Sequence, residues 1–254
     1  HILMKKGFWL VVEEIIKKAD IILEVLDARM PELTRIHKIE RFAYTNKKPL
    51  ILVINKTDLI SEDAIQKISE DYAQTSHVFV SSKNSKGLHG LIRMVRHKAN
   101  KGDAKAVIVG FPNTGKSSLI NRLSKGARVR TSSESGFTRG IQLIKGKEGL
   151  MLYDTPGVIP FKKRDEIRLG LISGISPLKL TDPDLVAYEL IKILKNKNQG
   201  LLEKAYGIDP SLEPEEFLCE FGRKNNMLKK GGIADERRAA IMILTDWHKG
   251  KIRL

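Results

Sequence analysis

Apolar and polar positions follow two rhythms along the chain. In "VVEEIIKKAD" apolar pairs recur at helical spacing, which predicts an amphipathic helix over Leu10–Lys18. "DIILEVLDAR" then reads as a strand ending near Asp27. A polar segment follows, then a helix over Ile36–Tyr44. "KPLILVINKTD" is rich in β-branched residues and reads as a strand buried on both faces. Ser61 is placed to cap a helix opening at Glu62 and Asp63. "HVFVSSKNSKG" predicts a strand and a loop, and Leu88–His97 a helix. After the polar connector "NKGDAK", the stretch "KAVIVGFPNTGKSSLINRLS" predicts strand, loop and helix. "IQLIKG" and "GLMLYDTPG" read as two strands with a hairpin turn at Lys147 and Glu148.

From about Phe161 the texture changes. No further β-rich run appears, and "RLGLISGI", "DPDLVAYELIKILKN", "EPEEFLCEFGRKNN" and "DERRAAIMILTDWHKG" all carry helical spacing. Pro183 and Pro214 stand near helix starts, where proline is tolerated. Strands alternating with helices predict a mainly parallel sheet with helices on both faces. The expected architecture is therefore an α/β domain over residues 4–160 and an all-α domain over 161–254.

Composition narrows the partners. The 254 residues are 41% hydrophobic and 30% charged, with a formal net charge of +15. An excess this large favours an anionic partner, nucleic acid before an acidic membrane surface, over a merely solvated surface. Cys219 is the single cysteine, which excludes an internal disulfide and a cysteine zinc site and suits a reducing, cytoplasmic setting. No disulfide-linked partner is expected, and a monomer is. No apolar run approaches a membrane span, so no membrane partner is expected. "FWLVVEEIIKKAD" is broken by acids and lysines, unlike a signal peptide. The residues before Met4 are read as an expression remnant and left out of the functional reading.

The chemistry is concentrated in short loops after strands. Gly110–Ser117 matches G-x-x-x-x-G-K-[ST] between a strand and a helix. Its glycines let the backbone wrap a phosphate, and successive N–H groups with the helix N-terminus supply positive potential. Lys116 can reach the terminal phosphates and the Ser117 hydroxyl can ligate Mg²⁺. Asp154-Thr-Pro-Gly157 follows an apolar strand, so Asp154 can hold Mg²⁺ and the Gly157 N–H can sense a γ-phosphate. Asn55-Lys56-Thr57-Asp58 supplies base selection: Asp58 can accept guanine N1–H and N2–H₂, which adenine lacks. Lys56 can lay its stem over the ring, and Asn55 can bond guanine N7 and tie loops together. Leaving the Asp58 carboxylate unpaired would reject adenine. Ser81, Ser82 and Lys83 follow the next strand, where backbone N–H groups can bind guanine O6. Thr138 in "SGFTRG" is the choice for a second Mg²⁺-ligating hydroxyl, with Thr131, Ser132, Ser133 and Ser135 competing.

In the order "NKTD", "SSK", "GFPNTGKS", "FTRG", "DTPG", these elements resemble the circularly permuted GTPases of the TRAFAC class. "ADIILEVLDARMPELTR", "GFPNTGKSSLINRL" and "LYDTPGV" are similar to the YlqF-related ribosome-assembly GTPases, and the helical tail resembles that family's carboxy-terminal domain. The resemblance implies a six-stranded, mostly parallel P-loop domain followed by helices. It also implies GTP hydrolysis to GDP and phosphate, and work on ribosomal RNA of the large subunit. Within the phosphate loop Gly110, Asn113, Thr114, Gly115, Lys116, Ser117 and Ser118 stand in the nucleotide-binding positions, and Asn113 where related GTPases ligate K⁺. Lys116, Asn113, Thr138 and Gly157 are the implied catalytic positions. Val158 stands where other GTPases carry a water-orienting glutamine, and the amino-terminal "PGHM" histidine of bacterial members has no counterpart in "MKKGFWL". Slow intrinsic turnover, raised by a ribosomal partner, is the expectation. Basic residues of the tail, among them Arg223, Lys224, Lys229, Lys230, Arg237, Arg238, Lys249, Lys251 and Arg253, are expected on RNA, against a bland alternative of salt bridges to Glu215, Glu216 and Glu236. Trp247 is read as a core anchor and the scattered histidines as surface or packing residues.

Overall fold

The structure is a computed structural model describing residues 6–126, 142–155, 165–198 and 200–254. The chain divides into two compact units, residues 1–162 and 163–254.

In the first unit six strands form one sheet in the order β3-β2-β1-β4-β6-β5. They are β1 (Ile21–Asp27), β2 (Leu50–Asn55), β3 (His77–Phe79), β4 (Lys105–Gly110), β5 (Gln142–Lys145) and β6 (Met151–Asp154). All pairings are parallel except β5 with β6. The helices are α1 (Lys6–Lys18), α2 (Pro31–Thr34), α3 (His37–Thr45), α4 (Glu62–Asp71), α5 (Leu88–Ala99) and α6 (Lys116–Leu123). Every residue of β1 is buried, as a central strand covered on both faces requires. Ile21, Leu23 and Val25 share one core with Leu91, Ile92 and Val95 of α5 and Leu119 and Ile120 of α6. On the opposite face Leu26, Leu52 and Ile54 meet Ile68 of α4 and Tyr72, the residue that closes it.

Local chemistry accounts for the element ends. Ser61 caps α4, its hydroxyl accepting from the Ala64 N–H at 3.3 Å. α5 runs two residues past the expected His97, because Asn100 adopts the left-handed conformation (φ 50°) that closes a helix. The predicted polar segment after Asp27 holds the short α2, which opens on Pro31. The β5–β6 turn at Lys147–Gly149 places Glu148 at φ 52°. α1 begins at Lys6, one turn earlier than the apolar rhythm starting at Leu10 indicated.

The second unit is helical among its described residues: α7 (Glu166–Leu171), α8 (Pro183–Lys197), α9 (Gly200–Tyr206), α10 (Pro214–Lys224) and α11 (Glu236–His248). Pro183 and Pro214 occupy first-turn positions, where a missing N–H costs nothing. Leu190, Ile191 and Leu194 of α8, Phe217 and Phe221 of α10, and Ile243 and Leu244 of α11 are all buried. Trp247 is a core anchor, 1% exposed, and its indole N–H donates to the Leu171 carbonyl at 2.8 Å. No helix among the described residues is long and apolar enough to cross a membrane.

Candidate functional site

Parallel strands deliver their following loops to one edge of a sheet. Here β2 ends at Asn55, β1 at Asp27, β4 at Gly110 and β6 at Asp154, and the register sets Asp27 beside Asn55, Val25 beside Gly110 and Ile108 beside Asp154. Loops more than fifty residues apart in sequence are thereby neighbours.

The phosphate loop leaves β4 with Gly110 at φ 153°, turns through Asn113 at φ 63° and Gly115 at φ 97°, and enters α6 at Lys116. The backbone is packed so closely that a Cβ on Gly110 would lie 2.6 Å from the Val25 carbonyl oxygen. One on Gly115 would lie 2.2 Å from Asn55 Nδ2. The Lys116 ammonium folds back over the loop and donates to the Phe111 carbonyl at 2.6 Å, while the Thr114 hydroxyl donates to the same oxygen at 2.9 Å. Ser117 and Ser118 lie in the first turn of α6.

Asn55 joins three of the predicted elements. Its Nδ2 donates to the Thr114 carbonyl of the phosphate loop at 2.9 Å. Its Oδ1 accepts from the Ser82 N–H at 3.0 Å and from the Ser82 hydroxyl at 2.8 Å. Asp58 sits in a 3₁₀ turn, half-buried, and accepts from the Ser81 hydroxyl at 2.6 Å. Asn55 thus links the loops after β2, β3 and β4.

Two further groups carry this arrangement. Arg122 of α6 donates to the Ser82 carbonyl at 2.9 Å and the Lys83 carbonyl at 2.8 Å, clasping the "SSK" loop from behind. Lys56, at φ 67°, donates from its ammonium to Asp27 Oδ2 at 2.7 Å. Asp27 also accepts from Arg29, at 3.0 Å from Nε and 2.7 Å from Nη2. Burial alone would raise the Asp27 carboxyl, but Lys56 and Arg29 outweigh it and hold the group well below the usual carboxylate range. For Lys56, burial draws the ammonium pKa down, against the opposing pull of Asp27. Sequence reasoning gave Asp27, Arg29 and Arg122 no role. The signal for the first two was a charged pair closing an otherwise apolar strand, and nothing in the sequence marked Arg122.

Asp154 ends β6 one strand away from the phosphate-loop strand, and its neighbour Thr155 is anchored there by a hydroxyl donated to the Ile108 carbonyl at 2.6 Å. The residues present fit a phosphate-bound divalent cation: a hydroxyl at the start of α6, a carboxylate residue at the adjacent strand end, and a glycine cradle too close for any Cβ. Thr138 and Gly157 lie outside the described residues, as does the Asp154 side chain.

A phosphate loop on the fourth strand in sequence, set between β1 and β6, with the base loop on the second, defines a circularly permuted P-loop GTPase fold. A protein-family model described as 50S ribosome-binding GTPase matches residues 105–200. An uncharacterized GTP-binding protein of Methanocaldococcus jannaschii is 35% identical over 95% of this chain and 65% of its own length. Nucleolar GTP-binding protein 2 of Schizosaccharomyces pombe is 31% identical over 97% of this chain and 47% of its own. The chain thus spans less than two thirds of these relatives. The crystal structure of GNP-bound YlqF from T. maritima superposes with a TM-score of 0.67 at 26% identity, covering 98% of this chain and 96% of that one. The chain belongs to the YlqF-related circularly permuted GTPases.

Proposed function

We propose that the chain binds GTP and GDP with Mg²⁺, hydrolyses GTP, and acts in assembly of the large ribosomal subunit by nucleotide-gated contact with ribosomal RNA. The observation that carries the guanine-nucleotide part is Asn55, whose side chain fastens the "NKTD", "SSK" and phosphate loops into one site. Asp58 would read the base edge, Ser81, Ser82 and Lys83 would offer backbone donors to O6, and the loop Gly110–Ser118 with Lys116 would hold the phosphates. Ser117, Asp154 and Thr138 would hold Mg²⁺, which when bound neutralises charge on the phosphates. Asn113, exposed at the loop crest, is the proposed contact for K⁺. Thr138 and Gly157 would respond to the γ-phosphate. The ribosomal part is supported by the family model's description and by the fission-yeast relative's name. A cytoplasmic site of action is proposed for a cell without a nucleolus.

The helical unit modifies the RNA reading. Arg237 donates to the carbonyls of Thr181 and Leu180, and Lys224 to those of Tyr206 and Gly207, so these two serve the fold. Lys251 pairs with Asp246 and Arg223 with Glu220. Glu236 accepts from Tyr188, and Glu216 closes a capping box at Glu213. Lys229 and Lys230 are exposed beside Gly231 and Gly232, and are the better RNA contacts.

The test is nucleotide titration of the wild type and Asp58→Asn. The wild type is expected to prefer GTP and GDP over ATP, and the variant to exchange guanine for xanthine. Preference for ATP would overturn the base reading. A second reading, a GTP-gated RNA-binding protein with negligible intrinsic hydrolysis, is favoured by Val158 standing in the glutamine's place. Phosphate release with and without large subunits separates the two.

A further inference from the structure

The guanine-nucleotide reading leaves a buried ion cluster at the site without a task. β1 lies between the strand that carries "NKTD" and the strand that carries the phosphate loop. Its last residue, Asp27, is 5% exposed, and Arg29, two residues on, is 1% exposed. Burying charges is costly unless each is paired and hydrogen-bonded. Asp27 meets that demand, since Oδ1 accepts from the Arg29 N–H at 3.1 Å and from Arg29 Nε, and Oδ2 accepts from Arg29 Nη2 and Lys56 Nζ. Arg29 alone could neutralise this carboxylate. The second cation, Lys56, reaches it from a neighbouring strand end.

Lys56 has two unusual properties. It holds a left-handed backbone, φ 67°, which a long side chain rarely adopts. Its charged tip is turned inward to Asp27 while the side chain as a whole stays 20% exposed. Lysines ordinarily do the reverse, burying the stem and keeping the ammonium in water. Anchoring the tip leaves the apolar stem as the surface offered beside Asn55 and Asp58.

We propose that Asp27 is a positioning residue for base recognition: its carboxylate pins the Lys56 ammonium and so lays the Lys56 stem as a fixed platform for the flat face of the guanine. The inference rests on the guanine-nucleotide reading above. Asp27 touches no nucleotide atom. It acts through Lys56, with Arg29 keeping the carboxylate ionised and oriented.

The test compares a ligand that has a base with one that lacks it. Binding of fluorescent GDP, and its displacement by inorganic tripolyphosphate, is measured for wild type, Asp27→Asn, Lys56→Met and the double variant, with circular dichroism melting as the check on folding. Lys56→Met keeps an unbranched apolar stem and removes the anchored charge. Each single variant is expected to bind GDP about 10- to 100-fold more weakly, the span of one charge-assisted hydrogen bond. Tripolyphosphate affinity is expected to stay within about two-fold, since the phosphate loop is untouched. The double variant is expected to be no weaker than the singles, because both remove one interaction. A merely structural triad would weaken both ligands together, and that result overturns the proposal. So does wild-type GDP affinity in either variant, or additive losses in the double. Should Asp27→Asn fail to fold, Lys56→Met decides, because Asp27 there keeps Arg29. A wild type that binds tripolyphosphate but not GDP refutes the guanine reading itself, and with it this inference.

Discussion

Replacing Asn55 by alanine tests whether one side chain holds the base loops to the phosphate loop. Asn55 is 1% exposed, and its partners Thr114 and Ser82 are 1% and 7% exposed. The substitution strips the Thr114 carbonyl of its 2.9 Å donor and the Ser82 N–H of its 3.0 Å acceptor, and leaves both inside the protein. An orphaned buried polar group costs about 1–3 kcal/mol, whereas an exposed one would be rescued by water. Two of them give a loss of about 2–5 kcal/mol, the Ser82 hydroxyl recovering part by rotating to a new acceptor. Urea unfolding of the nucleotide-free protein reads the total. Hydrogen exchange at the Ser82 amide reads the local event, and should accelerate more than amides in the centre of β1. GDP affinity should fall as well, because the two loops no longer share a fixed spacing. A stability change under about 0.5 kcal/mol, the range of ordinary surface substitutions, with an unaltered Ser82 amide, would refute the idea that Asn55 fastens the site.

Gly115→Ala should break the same junction from the other side. Its Cβ would meet Asn55 Nδ2 at 2.2 Å in a backbone at φ 97°, so thermal melting should show a loss of about 1–3 kcal/mol together with lost nucleotide binding. Glu24 predicts a pH dependence. It is fully buried in β1, accepts the Ile36 N–H at 2.5 Å through Oε1, and leaves Oε2 without a partner. Burial first and the Glu40 carboxylate second push its pKa from 4.5 up to about 8, with Arg35 and the Ile36 N–H opposing. The folded state therefore holds a proton that the unfolded state releases. The stabilisation from this group is full below pH 4.5 and is lost as pH rises through about 8. Glu24→Gln should flatten that fall in urea titrations between these limits, and an unchanged slope would assign it to other groups.

Most of the sheet was legible because its strands are covered on both faces. "LILVI" is apolar without alternation and "IILEVLD" is broken only by Glu24 before its end, a pattern that suits a central parallel strand. Loops that bind phosphate or base were legible because their residue types are fixed by chemistry, glycine for close approach and asparagine and aspartate for base edges. The contacts between loops were not. Nothing local to Arg122 says that it reaches the Ser82 carbonyl forty residues away, since that meeting depends on α6 and the β3 loop lying side by side. Nor does "DAR" declare that its aspartate takes a lysine from the next strand. Glu24 was hidden for the opposite reason: a single acid inside an apolar run carries no local mark of burial, which comes from the helices that cover both faces of β1.

The re-threaded order has a physical basis in the sheet. All the strands whose loops build the site run parallel, so the loops leave from one edge and the connections enter at the other. The connector "NKGDAK", which joins what are chain ends in the ordinary order, lies on the entering edge. It is pinned there by Asp20 at the start of β1: Oδ1 accepts from Lys101 Nζ at 2.6 Å and Oδ2 from the Lys105 N–H at 2.9 Å. The Asp20 N–H returns a bond to the Lys105 carbonyl at 2.7 Å. The seven residues of β1 span about 23 Å, at ~3.3 Å per residue, between that joint and Asp27. Rejoining the chain on the entering edge therefore leaves the contacts of Asn55, Asp27 and Arg122 where they are. The order of the loops in sequence is free to change because their neighbours in space are set by strand pairing.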